Sequence, residues 1–361
     1  MERVLVIGGA GFVGSHLIGM LAASPRSRKE RYGKGLQDLK EVRVLDINRI
    51  KVKVETRELV HEIVGDMCDS KLLDKAIEGI DTVFLVASIV HWSLNPHPLI
   101  DKVNVEGTKS VIAACKRHRV KRLIYTSTLD VCYTGLPISN GDSEKCGYPE
   151  KPVNDYVRTK IAGEKLVLSA NDSSLRTCAL RPTHVYGERD PHAIPTVLKT
   201  VQSGGLLMLL GNPKTAKFDF VYAGNVAHAH VMAAIRMAEG KASGPEGKAY
   251  IVSENFNVNW WEFCRPYVEH RGMRLPSIYL PYRVVWCLAV FLEFLHFMLM
   301  AIWPSARWFD PSPTVFVANL LCQDYNFNHK RATQDFGYKP AFSREAAQAR
   351  TLAWVDTLKD S

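Results

Sequence analysis

Paired cysteines are missing from this sequence. Its eight cysteines are scattered, with no C-x-x-C pair and no Cys/His cluster at zinc spacing. A zinc ribbon and a disulfide-stapled scaffold are therefore excluded, and no metal site is expected. Unpaired thiols fit a reducing environment, so the bulk of the chain is expected to face the cytosol. No solenoid-period repeat is present either. No cleavable-leader pattern is expected ahead of the strand-like run Val4–Ile7. Neither sign of charge dominates strongly: 46 Lys and Arg stand against 37 Asp and Glu, a net charge of +9. That excess selects no partner by itself. With no recognition motif and no interleaving of aromatic and basic residues, nucleic acid is not an expected partner. Disorder and collagen-like composition are excluded by 47% hydrophobic and 23% charged residues. At 361 residues the chain exceeds one ordinary domain of roughly 100–200.

What is present is alternation. Apolar strand-like runs at Val4–Ile7, Val42–Leu45, Thr82–Val86, Arg122–Thr126 and Thr177–Leu180 are separated by helical patterns at Val13–Ala23, Lys71–Ile80, Gly107–His118 and Asp155–Ala170. Such alternation predicts an α/β fold with a doubly wound parallel sheet. The expected division places a dinucleotide-binding core in residues 1–190, with segments near 215–255 contributing. Residues 191–361 are expected to form mainly a smaller, mixed substrate lobe. Polar, basic Ser24–Glu41 reads as an inserted surface loop.

Three motifs carry chemistry. In Gly8-Gly9-Ala10-Gly11-Phe12-Val13-Gly14, a strand turns into a helix. Gly8 permits the tight turn, Gly11 a close approach to a pyrophosphate, and Gly14 close helix–strand packing. The helix N-terminus then faces the phosphates. Asp46 ends the second strand, where it would accept the adenosine ribose hydroxyls and repel a 2′-phosphate. NAD is therefore expected over NADP, although Arg49 and Lys51 lie nearby. Asp66 follows the third strand and reads as a partner for the adenine amino group. Tyr156 and Lys160 are four apart on one helix face. A phenol of pKa about 10 needs a neighbouring cation to act as a base at neutral pH. Upstream, Ser127 and Thr128 offer a hydroxyl to hold a substrate oxygen. Adjacent strand residues point oppositely, so one of the two should do this.

Together with Asn104–Thr108, Leu180–Gly187, Asp219–His230, Asn259–Phe263 and Phe336–Pro340, these motifs resemble an extended short-chain dehydrogenase/reductase. The resemblance sharpens to the 3β-hydroxysteroid dehydrogenase branch, which includes the sterol-4α-carboxylate 3-dehydrogenases. It implies a Rossmann fold and oxidation of a steroid or sterol 3β-hydroxyl by NAD. Decarboxylation of a 4α-carboxysterol or a double-bond shift would be further steps. Tyr156 is implied as acid/base, Lys160 as its activator and ribose ligand, and Thr128 as the hydroxyl residue, with Ser127 as the alternative. The implied cofactor set is Gly8, Gly11, Phe12, Val13, Gly14, Asp46, Asp66, Met67, Ala87, Lys160, Pro182, Thr183 and Val185. A homodimer through a helix pair including Asp155–Ala170 is a further family expectation. The chain departs from relatives in the fourth-strand segment Val83-Phe84-Leu85-Val86-Ala87-Ser88, where relatives often have a histidine and two alanines, and at Ser127-Thr128, where Ser-Ser is usual. The alternatives are a nucleotide-sugar epimerase or dehydratase, a phenolic-ketone reductase, and a non-catalytic NAD-binding scaffold.

One long apolar run remains. Val284–Trp303 contains only two ionisable side chains, Glu293 and His296. As a helix it would be about 30 Å long, enough to cross a bilayer. A crossing would bury Glu293 mid-membrane unless it were neutral or shared a proton with His296. It would also strand Phe336–Pro340 on the far side. A membrane-associating helix lying in the interface is expected instead, with Tyr279, Tyr282, Trp303 and Trp308 at headgroup level. For a eukaryotic chain the expected location is the cytosolic face of the endoplasmic reticulum.

Overall fold

The computed structural model describes every residue except Glu144, 241–243, Pro304, Ala306 and 359–361. Seven parallel strands form the main sheet. Their order is Ala249–Val252, Arg176–Pro182, Arg122–Thr126, Thr82–Leu85, Arg3–Ile7, Glu41–Asp46 and Val60–Val64. Successive residues of Arg3–Ile7 feed opposite faces. Val4 and Val6 pack with Leu17 and Val226, while Leu5 and Ile7 pack with Leu73, Val111 and Val167. Helices therefore cover both faces, which is why the strands read as unbroken apolar runs. The sheet grows one way from Arg3–Ile7 through 41–46 and 60–64, and the other way through 82–85. This reversal opens a crevice beyond the carboxyl ends of the strands, where ligands of such sheets bind.

The second half of the chain returns helix Ala223–Ala238 and strand Ala249–Val252 to this sheet. The rest builds a smaller sheet in the order Phe256–Val258, Phe218–Tyr222, Tyr325–Phe327, Ile138–Gly141, with His184–Tyr186 parallel to Phe218–Tyr222. Its core is aromatic: the Phe220 and Phe263 rings stack 3.8 Å apart. The architecture is the doubly wound α/β fold with a mixed second layer that the alternation predicts.

Ser24–Glu41 is not a surface loop. Pro25–Tyr32 is a helix, with Ser24 capping the Ser27 amide and Pro25 in its first turn, followed by a 3₁₀ turn at Gly33–Leu36. Its basic residues hid its anchors. Tyr32 is buried and stacks on His228 at 5.4 Å, and buried Arg28 donates to the Leu21 carbonyl.

The apolar run is helix Tyr282–Ile302, long and apolar enough by length and composition to cross a membrane. One stripe docks on the protein: Val285 and Ala289 are fully buried with Ala318 of helix Val315–Cys322. Glu293 and His296 take different partners. Glu293 Oε1 accepts the Val315 amide at 2.7 Å, while His296 Nδ1 faces the Phe309 carbonyl at 3.1 Å. The acid thus serves the N-terminus of the neighbouring helix, as the helix dipole favours. The opposite side is open: Phe291, Phe294, Phe297 and Met298 are all exposed.

Candidate active site

The glycine turn is built as a cradle. Gly8 has φ +88°, and a Cβ there would lie 2.5 Å from the Ala87 nitrogen. A Cβ on Gly14 would fall 2.1 Å from the Gly8 carbonyl oxygen. Both positions therefore require glycine for space, and Gly8 also for its backbone angle. Gly11 caps helix Phe12–Leu21 with no side chain on its free amides and no acid in the first turn. These donors fit an anionic diphosphate. Gly9, which the spacing rule passes over, is also crowded, but by side chains: its Cβ would press on Ile18 and Val44 at 2.6 Å.

Around the cradle, Asp46 Oδ2 accepts the Ala10 amide and its Oδ1 the Asn48 amide, both at 2.9 Å. The second strand's carboxylate is thereby fastened to the turn itself. Asp66 is exposed and accepts the Cys68 amide at 2.9 Å, above buried Met67. Phe12 and Val13 are half-buried at the helix start, and the Ala87 amide donates to the Ile7 carbonyl. Pro182 ends its strand beside Val252, and Val185 pairs with Val221. The Thr183 hydroxyl is buried without a protein partner.

Helix Asp155–Ser169 supplies the catalytic candidates. Asn154 caps it through the Val157 amide at 2.9 Å. Tyr156, Lys160, Ser127 and Thr128 are all buried. The Thr128 hydroxyl lies beside the Tyr156 phenol and favours its charged form, against burial. Among the described residues the Ser127 hydroxyl has no hydrogen-bond partner. Of the two adjacent hydroxyls, Thr128 is the one beside the phenol.

Lys160 differs from the simple expectation. Its ammonium donates to the Thr126 carbonyl at 2.7 Å and sits 4.4 Å from the Tyr125 ring centre. Burial pulls its pKa down to about 7, partly opposed by Glu164. Burial, with the Asp130 charge, pushes the Tyr156 phenol up, against the Thr128 hydroxyl. The i,i+4 spacing predicts the shared face but not the desolvation.

Two residues escaped the motif reading. Asp130 lies two positions past Thr128, its amide donates to Thr128 Oγ1 at 3.2 Å, and burial raises its carboxyl to about 6, with Thr128 and Trp92 opposing. Trp92 stands edge-on to Tyr156 at 6.3 Å. A carboxylate two residues beyond the hydroxyl pair was the available signal; Trp92 had none. His230, an isolated histidine, is structural. It bridges Thr126 Oγ1 and the Val226 carbonyl. Among the described residues no cluster of three or more His, Cys, Asp or Glu side chains is placed to hold a metal.

A glycine cradle at the sheet's reversal point, an acid on its edge and a buried Tyr–Thr–Lys constellation define an NAD-dependent oxidoreductase acting on CH–OH groups. Residues 5–282 match the 3-beta hydroxysteroid dehydrogenase/isomerase family, to which the chain belongs. The match ends where the apolar helix begins. The chain is 31% identical to the decarboxylating sterol-4-alpha-carboxylate 3-dehydrogenase of Mus musculus, over 97% of this chain and 90% of that protein. It is also 31% identical to the 3-beta-hydroxysteroid dehydrogenase of Mycolicibacterium neoaurum, over 100% and 93%. Two solved structures share the fold. They are the UDP-glucose 4-epimerase of Thermus thermophilus in complex with NAD (TM-score 0.67, 22% identity, 99% and 100% coverage) and the dTDP-glucose 4,6-dehydratase DesIV of Streptomyces venezuelae with NAD bound (0.71, 18%, 99% and 97%).

Proposed function

We propose that the chain oxidises the 3β-hydroxyl of a steroid or sterol to the 3-ketone. The observation that carries this is the burial of Tyr156, Thr128 and Lys160 together, with Thr128 beside the phenol, in a chain of this family. Thr128 holds the substrate oxygen and Tyr156 takes its proton. Lys160 fixes the strand end through the Thr126 carbonyl and supplies the cation one helical turn from the phenol. Gly8, Gly11 and Gly14 with the free helix amides hold the NAD diphosphate, Asp46 the adenosine ribose, and Asp66 with Met67 the adenine. Ala87, Pro182, Thr183 and Val185 wall the nicotinamide end. Bound NAD supplies the hydride acceptor. A 4α-carboxylate on the product would make it a β-keto acid, which loses carbon dioxide readily. Residues 191–361 provide most of the substrate lobe, on a core held largely by residues 1–190.

The exposed face of Tyr282–Ile302 rests on a membrane surface in this reading. Exposed Leu207, Met208 and Ile278 extend the apolar area at one end of the helix, where the Leu209 amide bonds the Ile278 carbonyl. Phe336 and Tyr338, downstream of the helix, are buried in the main core, which favours a helix lying on the surface over one that crosses. A sterol would then enter from lipid.

The test is NADH formation by detergent-solubilised protein given a 3β-hydroxysteroid, a 4α-carboxysterol or a nucleotide sugar, with NAD or NADP. Steroid turnover with NAD is expected, and Tyr156→Phe should lower it about 100–10,000-fold without loss of NAD binding. Turnover of the nucleotide sugar alone would overturn the reading.

A further inference from the structure

Segment 86–100, which leaves the strand Thr82–Leu85, crosses the mouth of the catalytic cleft. Its near side is pinned to the catalytic helix. Asn104 exchanges hydrogen bonds with the Ile89 backbone at 2.8 and 3.0 Å and donates to Thr159 Oγ1 at 3.1 Å. Its far side is tied to the segment that follows the apolar helix. Ser93 Oγ donates to Asp310 Oδ1 at 2.6 Å, and Asn95 Nδ2 to the Arg307 carbonyl at 3.2 Å. Between the two anchors stands Trp92. Its indole meets Tyr156 edge-on at 6.3 Å and His192 at 5.6 Å, and it lies beside the Asp130 carboxyl. Although so placed, it is 36% exposed.

We infer that Trp92 is a specificity-determining wall of the substrate site, set in place by the Ser93–Asp310 tie. A rigid indole offers a flat apolar face of the size of a fused ring, at low entropy cost. The catalytic hydroxyls alone cannot tell one secondary alcohol from another. An apolar wall can, because each buried CH₂ of a correctly placed ring system adds to binding. The tie places this wall under the control of the helix's exit segment, so that the substrate's apolar body is gripped on the side from which it enters. The inference rests on the steroid reading above.

The experiment compares wild type, Trp92→Ala, Trp92→Phe and Ser93→Ala in detergent with NAD. The substrates are two 3β-hydroxysteroids, one with a bare C4 and one with a 4α-carboxylate. Trp92→Ala should raise KM for both steroids about 10- to 100-fold with kcat within about threefold, and should change their preference ratio. Trp92→Phe should restore most of the affinity, and Ser93→Ala should show a smaller loss of the same kind. A fall in kcat at constant KM would make Trp92 a support for Tyr156 and overturn the inference, as would unchanged constants. If Trp92→Ala does not fold, judged by its melting curve and NAD binding, Trp92→Phe and Ser93→Ala decide by the same split. Failure of wild type to oxidise any steroid would instead sink the steroid reading itself.

Discussion

The catalytic helix and the apolar helix are opposites in composition and in surroundings. Asp155–Ser169 is rich in charge, yet Lys160 and Glu164 are sealed inside the protein. Tyr282–Ile302 is almost without charge, yet much of its apolar surface is open. In the first, the protein supplies every partner the buried charges need: Thr126 for Lys160, and Arg181 with Tyr148 for Glu164. In the second, it supplies cover for one stripe only. A charged residue placed inside must be satisfied by the fold, whereas an apolar face left outside implies a partner beyond it. Substitutions in the two helices should therefore fail in different ways.

The largest effect on stability is expected at the buried ion pair. Arg181 grips Glu164 with Nη2 at 2.6 Å and Nε at 3.1 Å to both oxygens, the two side chains being 5% and 0% exposed. Glu164→Gln leaves the guanidinium buried without its counter-charge and should cost about 3–5 kcal/mol. A urea titration of the NAD-free protein reads this as a lower midpoint at constant slope. Arg26→Gln, which breaks the open surface pair with Glu30, should leave the midpoint in place. Equal shifts from the two substitutions would show that the catalytic helix is not closed in as described.

A smaller effect, with a pH signature, is expected at Asp130. Its carboxyl is raised from 3.8 to about 6 by burial, with Thr128 and Trp92 opposing. A raised acid contributes stability fully below pH 3.8 and loses it as pH rises through about 6. Asp130→Asn escapes that loss. Its melting temperature should match wild type near pH 4, exceed it progressively up to about pH 6.5 and hold a constant gap above. The gap corresponds to at most about 3 kcal/mol, at about 1.36 kcal/mol per pH unit. A pH-independent gap would mean that Asp130 does not ionise in the cleft. Steroid oxidation by the variant should fall several-fold, the usual exchange of stability for activity at a functional site.

How much of this was legible in the sequence follows from the same contrast. The glycine turn was legible because its requirement is local: a positive φ at Gly8 and absent Cβ atoms admit one residue type. So was the alternation of strands and helices. The placing of Tyr156, Lys160 and Thr128 on one cleft followed from i,i+4 spacing and strand ends. Helix Pro25–Tyr32 was missed because its burial depends on Tyr32 reaching His228, almost two hundred residues away. The same holds for Glu293, whose partner is the Val315 amide rather than His296. The low pKa of Lys160 needs the whole surrounding core and was not legible at all. Trp92 is set by ring contacts with Tyr156 and His192 and, through Ser93, by a tie to Asp310. No spacing rule reaches across such distances.

The smallest effect on stability should come from the open face of the apolar helix, and there the contrast is sharpest. Phe291, Phe294 and Phe297 are about 60% exposed and lie at i, i+3, i+6, forming one stripe. Replacing all three by serine removes mostly solvent-facing surface, so unfolding should shift by no more than about 0.5 kcal/mol per site. Val285→Ala, on the docked stripe against Ala318, should cost about 1–3 kcal/mol although it removes far fewer carbons. Vesicle flotation should reverse the ranking. Each exposed phenylalanine that enters lipid contributes roughly 1.5–3 kcal/mol to binding, so the triple serine variant should stay with the soluble fraction while Val285→Ala floats with wild type. Flotation of the triple variant at wild-type level would show that this face is not what meets the membrane. A large loss of stability in that variant would show instead that the protein, and not lipid, covers it.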